Sequence, residues 1–160
     1  MTPSARLEAL GLRLPQAPGP VGSDVQARVH GGVVYVTGQL PFVDGSILHP
    51  GLLGRDLDAE QGALVARTCA LNSLAAAADA VGGLDAIAGV LQVVGYLACA
   101  DGFTGHSLVL NGASDLLRDV VAPDGHTRSN VGVASLPLSS AVELQVTYLQ
   151  AGTSATAGAA

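Results

Sequence analysis

Lysine does not occur in this 160-residue chain; its seven basic residues are all arginine. The absence excludes a lysine Schiff base, a lysine general base and the lysine of a phosphate-binding loop. Thirteen acidic residues outweigh the arginines and leave a net charge of −6. The arginines are also scattered, so no basic stripe is available to follow a nucleic-acid backbone, and no nucleic-acid partner is expected. Tryptophan is missing and aromatics make up only 3% of the residues, although 49% are hydrophobic. A core must therefore be assembled from Val, Leu, Ile and Ala.

The two cysteines, Cys69 and Cys99, lie in apolar runs without CxxC spacing. This argues against a disulfide framework or a zinc knuckle and reads as two small buried hydrophobes. The four histidines, His30, His49, His106 and His126, show neither HxH nor HExxH spacing, so no metal site is expected. No GxSxG elbow occurs, and GGVVYVTG lacks the spacing of a dinucleotide fingerprint. The N-terminus, MTPSARLEALGLRLPQAP, has charges and prolines where a signal peptide has an apolar core. No apolar run reaches membrane-spanning length free of glycine or charge. A soluble, cytoplasmic chain with no membrane partner is expected.

What is present is a β-then-α pattern. Residues 1–20 read as a short helical arm around Ala5 to Leu10 followed by a Pro-rich connector. Two strands joined at Gly31-Gly32 follow, the second being VVYV, which is β-branched and aromatic. Asp58 and Gln61 form a capping-box pair at the start of a long helix, with Leu64, Val65, Thr68, Leu71, Leu74 and Ala78 at helical spacing and Gly82-Gly83 at its end. Ile87 to Ala100 read as a buried strand and HSLVLNGASDLLRDVV as a second helix. HTRSNVGVASLPLSSAVELQV reads as two strands around a turn. The tail after Gln150 is small and low in complexity, and fraying is expected over residues 151–160. The sum is a two-layer α+β domain over residues 21–150, a mixed sheet covered on one face by two helices. The apolar positions on its other face suggest that copies of the chain pack together there.

Arg128 and Glu143 stand out in the last strand pair. Arg128 shares a face with Asn130, Gly132 and Ala134; Glu143 shares one with Gln145 and Thr147. From the residues alone, solvated edge charges account for both as well as a site does. In a simple hairpin centred near Leu138, Glu143 falls opposite Ala134, about 20 Å along the strand from Arg128. Bringing the two together requires another subunit or another strand order.

The run Arg128-Ser129-Asn130-Val131 through Leu136-Pro137 to Val142-Glu143 resembles the C-terminal signature of the RidA (YjgF) family. Tyr35-Val36-Thr37-Gly38-Gln39-Leu40-Pro41 is similar to the family's V-x-S-G-Q-[IL]-P element, and Asn111, 17 positions before Arg128, matches its helix asparagine. The resemblance implies a chorismate-mutase-like fold and a homotrimer with ligand clefts between subunits. It implies cofactor-independent hydrolysis of 2-imino or enamino acids to 2-keto acids and ammonia. Arg128 would clamp the substrate carboxylate and Glu143 would activate water. Thr37, Gly38, Asn111 and Asn130 would line the cleft, Asn130 through its backbone. The family's deaminases carry a tyrosine where this chain aligns Asp24, serine at Thr37, a small residue or cysteine at Asn130, and no histidine at His126. Two other functions compete with the deaminase: a biosynthetic relative acting on a different carboxylated or carbonyl intermediate, and a non-catalytic trimer that binds a metabolite.

Overall fold

The computed structural model describes residues 1–17, 19 and 22–152. The expected frayed tail, from residue 153 onward, lies outside the described residues. The chain opens with helix α1 (Pro3–Ala9), whose first turn is capped by the Thr2 side chain. Leu7 on α1 is buried in the core, and Leu12 and Leu14 pack against it. Strands β1 (Ala27–His30) and β2 (Val33–Val36) form the expected hairpin, with Gly31 and Gly32 at φ 56° and 77°. These left-handed angles suit glycine and explain the pair at the turn. A two-residue ladder, β3 (Phe42–Val43) with β4 (Ser46–Ile47), follows.

Helix α2 (Ala59–Val81) starts at Asp58, whose side chain accepts from the Gln61 backbone while Gln61 accepts from the Asp58 backbone. It ends at Gly82 in the left-handed conformation, as the sequence suggested. Strand β5 (Ile87–Ala98), helix α3 (His106–Val120), strand β6 (Thr127–Val133) and strand β7 (Val142–Gln150) complete the chain.

The main sheet has the order β1-β2-β7-β5-β6. It is mixed: β5 runs parallel to β6 and antiparallel to β7. The simple hairpin between the last two strands is therefore not formed. A turn does lie at Pro137–Ser139, with Leu138 and Ser139 at positive φ, but the loop it belongs to steps across β5 instead of returning beside β6. The reason is β5 itself. This 12-residue strand carries Ile87, Val90, Val93 and Leu97 fully inside, and it satisfies a ladder on each side.

Both long helices cover one face of the sheet. Val142, Leu144, Val146 and Tyr148 of β7 and Val93 and Leu97 of β5 point into that layer, each at most 0% exposed. The apolar stripe expected on α2 is only part of its buried surface. Leu64 is 49% exposed, whereas Ala66, Cys69, Ala70, Ala76 and Ala77 are buried. Alanines leave no signature at helical spacing, but they allow α2 to pack closely against both the sheet and its neighbour α3. The helices touch backbone to backbone, since a Cβ at Gly112 would overlap the Ala63 carbonyl. The opposite face of the sheet displays Tyr35, Val131 and Leu149, at 54%, 38% and 38% exposure.

Gly112 supplies a test in which two effects have opposite signs. Helix propensity alone favours alanine over glycine by about 1 kcal/mol. Overlap with Ala63 should reverse this, and Gly112→Ala is expected to destabilise the fold by about 1–3 kcal/mol. A raised urea midpoint for this variant would contradict the close helix contact.

Candidate functional site

Arg128 lies on β6 opposite Val93 of β5. Val93 points into the helix layer, so Arg128 does too and meets α3. Ser107, Asn111 and Ser114 lie four and three positions apart on that helix and share one face. Arg128 Nη1 donates to Asn111 Oδ1 at 2.8 Å and to Ser114 Oγ at 3.1 Å, and Nη2 reaches the Ser107 carbonyl at 3.5 Å. Asn130, on the same face, donates from Nδ2 to Ser107 Oγ at 3.0 Å. His126 Nε2 lies 3.0 Å from Ser114 Oγ. Burial, then the charges of Arg128 and Arg118, lowers the His126 pKa below its ordinary value. Among the described residues, buried side-chain atoms without a partner include His126 Nδ1 and Asn130 Oδ1. His126 directly precedes β6 and Asn130 lies on it, so the two flank Arg128 along the chain.

The second cluster lies around Glu143. The register between β2 and β7 shifts by one residue between the pairs Tyr35↔Thr147 and Gln39↔Leu144. The extra residue makes a bulge at Thr37-Gly38, a device that redirects a strand locally. Gly38 then lies directly against Glu143, because a Cβ there would overlap the carboxylate. This packing is the physical reason for glycine at position 38. Thr37 Oγ1 donates to Asp24 Oδ2 at 3.0 Å. Gln39 Nε2 donates to Gln26 Oε1 at 2.8 Å and to the Thr37 carbonyl at 3.3 Å. These residues, with Leu40, Phe42 and Pro137, enclose a cavity of about 200 Å³. Partial burial raises the Glu143 pKa, which suits a carboxylate that must take up a proton.

The seven site residues expected from the sequence thus fall into two groups of one chain. Arg128, Asn111 and Asn130 form one; Glu143, Gly38, Thr37 and Asp24 form the other. Glu143 pairs with Tyr96 and Arg128 with Val93, adjacent parities on β5, so the two charges lie on opposite faces of the sheet. They are also two strands apart, about 10 Å, and about 10 Å apart along the strands. The actual strand order does not join them within one chain. Asp24 sits in the Glu143 group, away from Arg128 and held by Thr37. Sequence reasoning missed Ser107, Ser114, Gln26 and Gln39. The first two carried a signal, since they stand at helical spacing from Asn111. Among the described residues, no three His, Cys, Asp or Glu side chains gather as metal ligands.

Residues 4–152 match the family model described as "YjgF/chorismate_mutase-like, putative endoribonuclease". Protein TCP17 of Trypanosoma cruzi is 37% identical over 143 residues, covering 88% of this chain and 89% of that protein. The chain belongs to the YjgF (RidA) family. Among solved family structures, Atu1372 of Agrobacterium tumefaciens, of unknown function, is 36% identical with a TM-score of 0.84, covering 93% of this chain and 92% of that one. A Shewanella oneidensis protein, also described as a putative endoribonuclease, is 30% identical with a TM-score of 0.89 over 93% and 99% of the two chains. Escherichia coli TdcF, solved with bound serine, is 23% identical with a TM-score of 0.60, covering 84% and 93%; it shares the fold. The YjgF fold accounts for the mixed sheet and the helix layer.

Glu143 gives a pH test for this YjgF chain that needs no substrate. Its folded pKa lies above the ordinary 4.5, so the fold prefers the protonated form. The stability it contributes is full below 4.5 and is lost as pH rises through the folded pKa. Glu143→Gln removes this loss. Its melting temperature relative to the parent should climb from about pH 4 to about pH 7, and a difference that stays flat with pH would contradict the desolvated carboxylate.

Proposed function

We propose that the protein is a homotrimeric hydrolase converting 2-imino acids, and the enamines in tautomeric equilibrium with them, to 2-keto acids and ammonia. In this reading the Arg128 group of one subunit faces the Glu143 group of a neighbour and closes a cleft between them. The observation that carries it is the separation of the two charges on opposite faces of one sheet, each with its own shell of polar partners. Neither shell satisfies a catalytic role alone. Family membership and the exposed Tyr35, Val131 and Leu149 on the Glu143 face support the assembly.

The chemistry follows from the groups. Arg128 offers a planar fork of donors to the substrate carboxylate, and Asn111 and Ser114 hold the guanidinium in place. Glu143 accepts a proton from water, the water oxygen bonds to C2, and the C=N bond becomes a single bond in a carbinolamine. Glu143 returns that proton to nitrogen to complete the carbinolamine. Transfer of the C2 hydroxyl proton to nitrogen then accompanies cleavage of the C–N bond, which releases ammonia and leaves the C=O bond of the 2-keto acid. No electron changes hands, so no redox cofactor enters the balance. Imine carbons are intrinsically electrophilic, which makes one positioned base and one clamp sufficient. The serine held by TdcF is itself an amino acid with a carboxylate, in keeping with such a ligand. The lysine-free, acidic chain disfavours RNA as substrate.

The direct test generates 2-iminobutyrate or 2-iminopropionate enzymatically and traps it with semicarbazide. Added protein should lower the trapped imine, and an unchanged yield would sink the hydrolase reading. Arg128→Ala should cost about 2–4 kcal/mol, roughly 30- to 900-fold in kcat/KM, with Arg128→Lys recovering only part because it keeps charge but loses the fork. Light scattering should report a trimer at micromolar concentration; a stable monomer would overturn the inter-subunit cleft.

A further inference from the structure

His126 has no part in the chemistry just described, yet it lies within hydrogen-bond distance of Ser114, which supports the clamp. A serine hydroxyl has one hydrogen and two lone pairs, whereas a guanidinium only donates. Ser114 Oγ therefore accepts from Arg128 Nη1 at 3.1 Å. Its own hydrogen must point elsewhere, and His126 Nε2 lies 3.0 Å away. For Nε2 to accept that hydrogen, the ring must be neutral and carry its proton on Nδ1.

We infer that His126 is a positioning residue for Arg128, acting through Ser114. Its neutral ring takes the serine hydrogen at Nε2 and so turns the serine lone pairs toward the guanidinium. The inference rests on reading Arg128 as the carboxylate clamp. A neutral ring protonated at Nε2 would instead donate to the same oxygen that Arg128 uses, and a doubly protonated ring would also set two cations side by side.

The surroundings favour the neutral ring. Arg128 on β6 and Arg118 on α3 both face it, and burial adds to their effect. Arg118 is itself paired with Asp115 at 3.1 Å and with Asp119 at 3.6 Å. Asp115 lines the same cavity of about 300 Å³ as His126, Arg118 and Arg128, but its carboxylate is engaged by Arg118. In this tautomer the buried Nδ1, which has no partner among the described residues, carries the ring hydrogen.

Four variants and one spectroscopic measurement test the role. His126→Leu removes the acceptor, and Ser114→Ala removes the relay. Each should raise KM for 2-iminobutyrate about 5- to 10-fold with little change in kcat, the scale of one lost hydrogen bond. The double variant should be no worse than either single one, because both remove the same relay. His126→Gln, whose carbonyl oxygen can accept the serine hydrogen, should recover most of the loss. Independently of activity, nitrogen NMR of the wild-type protein at neutral pH should show His126 unprotonated at Nε2. Arg128 should give separate Nη signals, as a guanidinium held against rotation does, and these should merge in Ser114→Ala. An Nε2–H ring, or merged Nη signals in the wild type, overturns the inference even if no imine is hydrolysed. So do additive single-variant effects, an unchanged KM in folded His126→Leu, or a folded glutamine variant as impaired as leucine. Failure of the imine assay with the expected NMR signals would count against the hydrolase reading alone.

Discussion

The two ladders of β5, parallel to β6 and antiparallel to β7, decide on which face of the sheet each charge of the site lies. Residues paired across a sheet share a face, so Val93 carries Arg128 into the helix layer. On the other side of β5, Tyr96 pairs with Glu143 and keeps it on the opposite face. Moving β6 by one residue would exchange the faces of Arg128 and Val131 and leave the guanidinium without Asn111 and Ser114. The register is in turn held by the buried Val93 and Leu97, which cannot face solvent without losing the core. A packing constraint on an apolar strand thus places a charge at the edge of the sheet. The close approach of α2 to α3 through Gly112 keeps the supporting helix against that edge.

Local elements were legible in the sequence where a few residues determine them. The capping box at Asp58 and Gln61, the glycine turn at Gly31-Gly32 and the αL stop at Gly82 all depend on neighbours in the chain, and all appear as expected. The alternation of Val142, Leu144 and Val146 against Glu143 and Gln145 is likewise local and is reproduced in their burial. The pairing of β6 with β5 was not legible, because the turn at Leu138 reads as a hairpin until a third strand competes for the same ladder. The wide buried surface of α2 was hidden by alanine, which is small enough for either environment. For the site, the motif residues pointed to Arg128, Asn111 and Glu143, and the structure brings the first two into contact. The support from Ser107 and Ser114 depends on α3 docking over β6, which helical spacing alone does not reveal.

The two halves of the site also differ in the hydrogen-bond polarity they present. Around Arg128 the guanidinium supplies donors that suit an anion, with the unpartnered acceptor Asn130 Oδ1 beside it. Around Glu143 they are acceptors: Thr37 has committed its hydroxyl hydrogen to Asp24, so its remaining lone pairs stand beside two carboxylates. An amphoteric ligand, anionic at one end and bearing N–H groups at the other, matches both halves, and a 2-imino acid has this form. Asp24, which would repel a carboxylate beside Arg128, is harmless or helpful in the half that meets nitrogen. In the proposed cleft, the acidic departure at position 24 would tune the nitrogen side and leave the carboxylate clamp unaltered.

The central claim is that Arg128 of one subunit works with Glu143 of another. Co-expression of Arg128→Ala and Glu143→Gln chains, each inactive alone, tests it most directly. In randomly mixed trimers, every trimer containing both chains has one interface where an intact Arg128 meets an intact Glu143, so about one quarter of all sites should be restored. Imine hydrolysis at roughly that fraction of the wild-type rate is the result the account predicts. Mixed trimers, verified by mass spectrometry, that remain as inactive as either parent would contradict it.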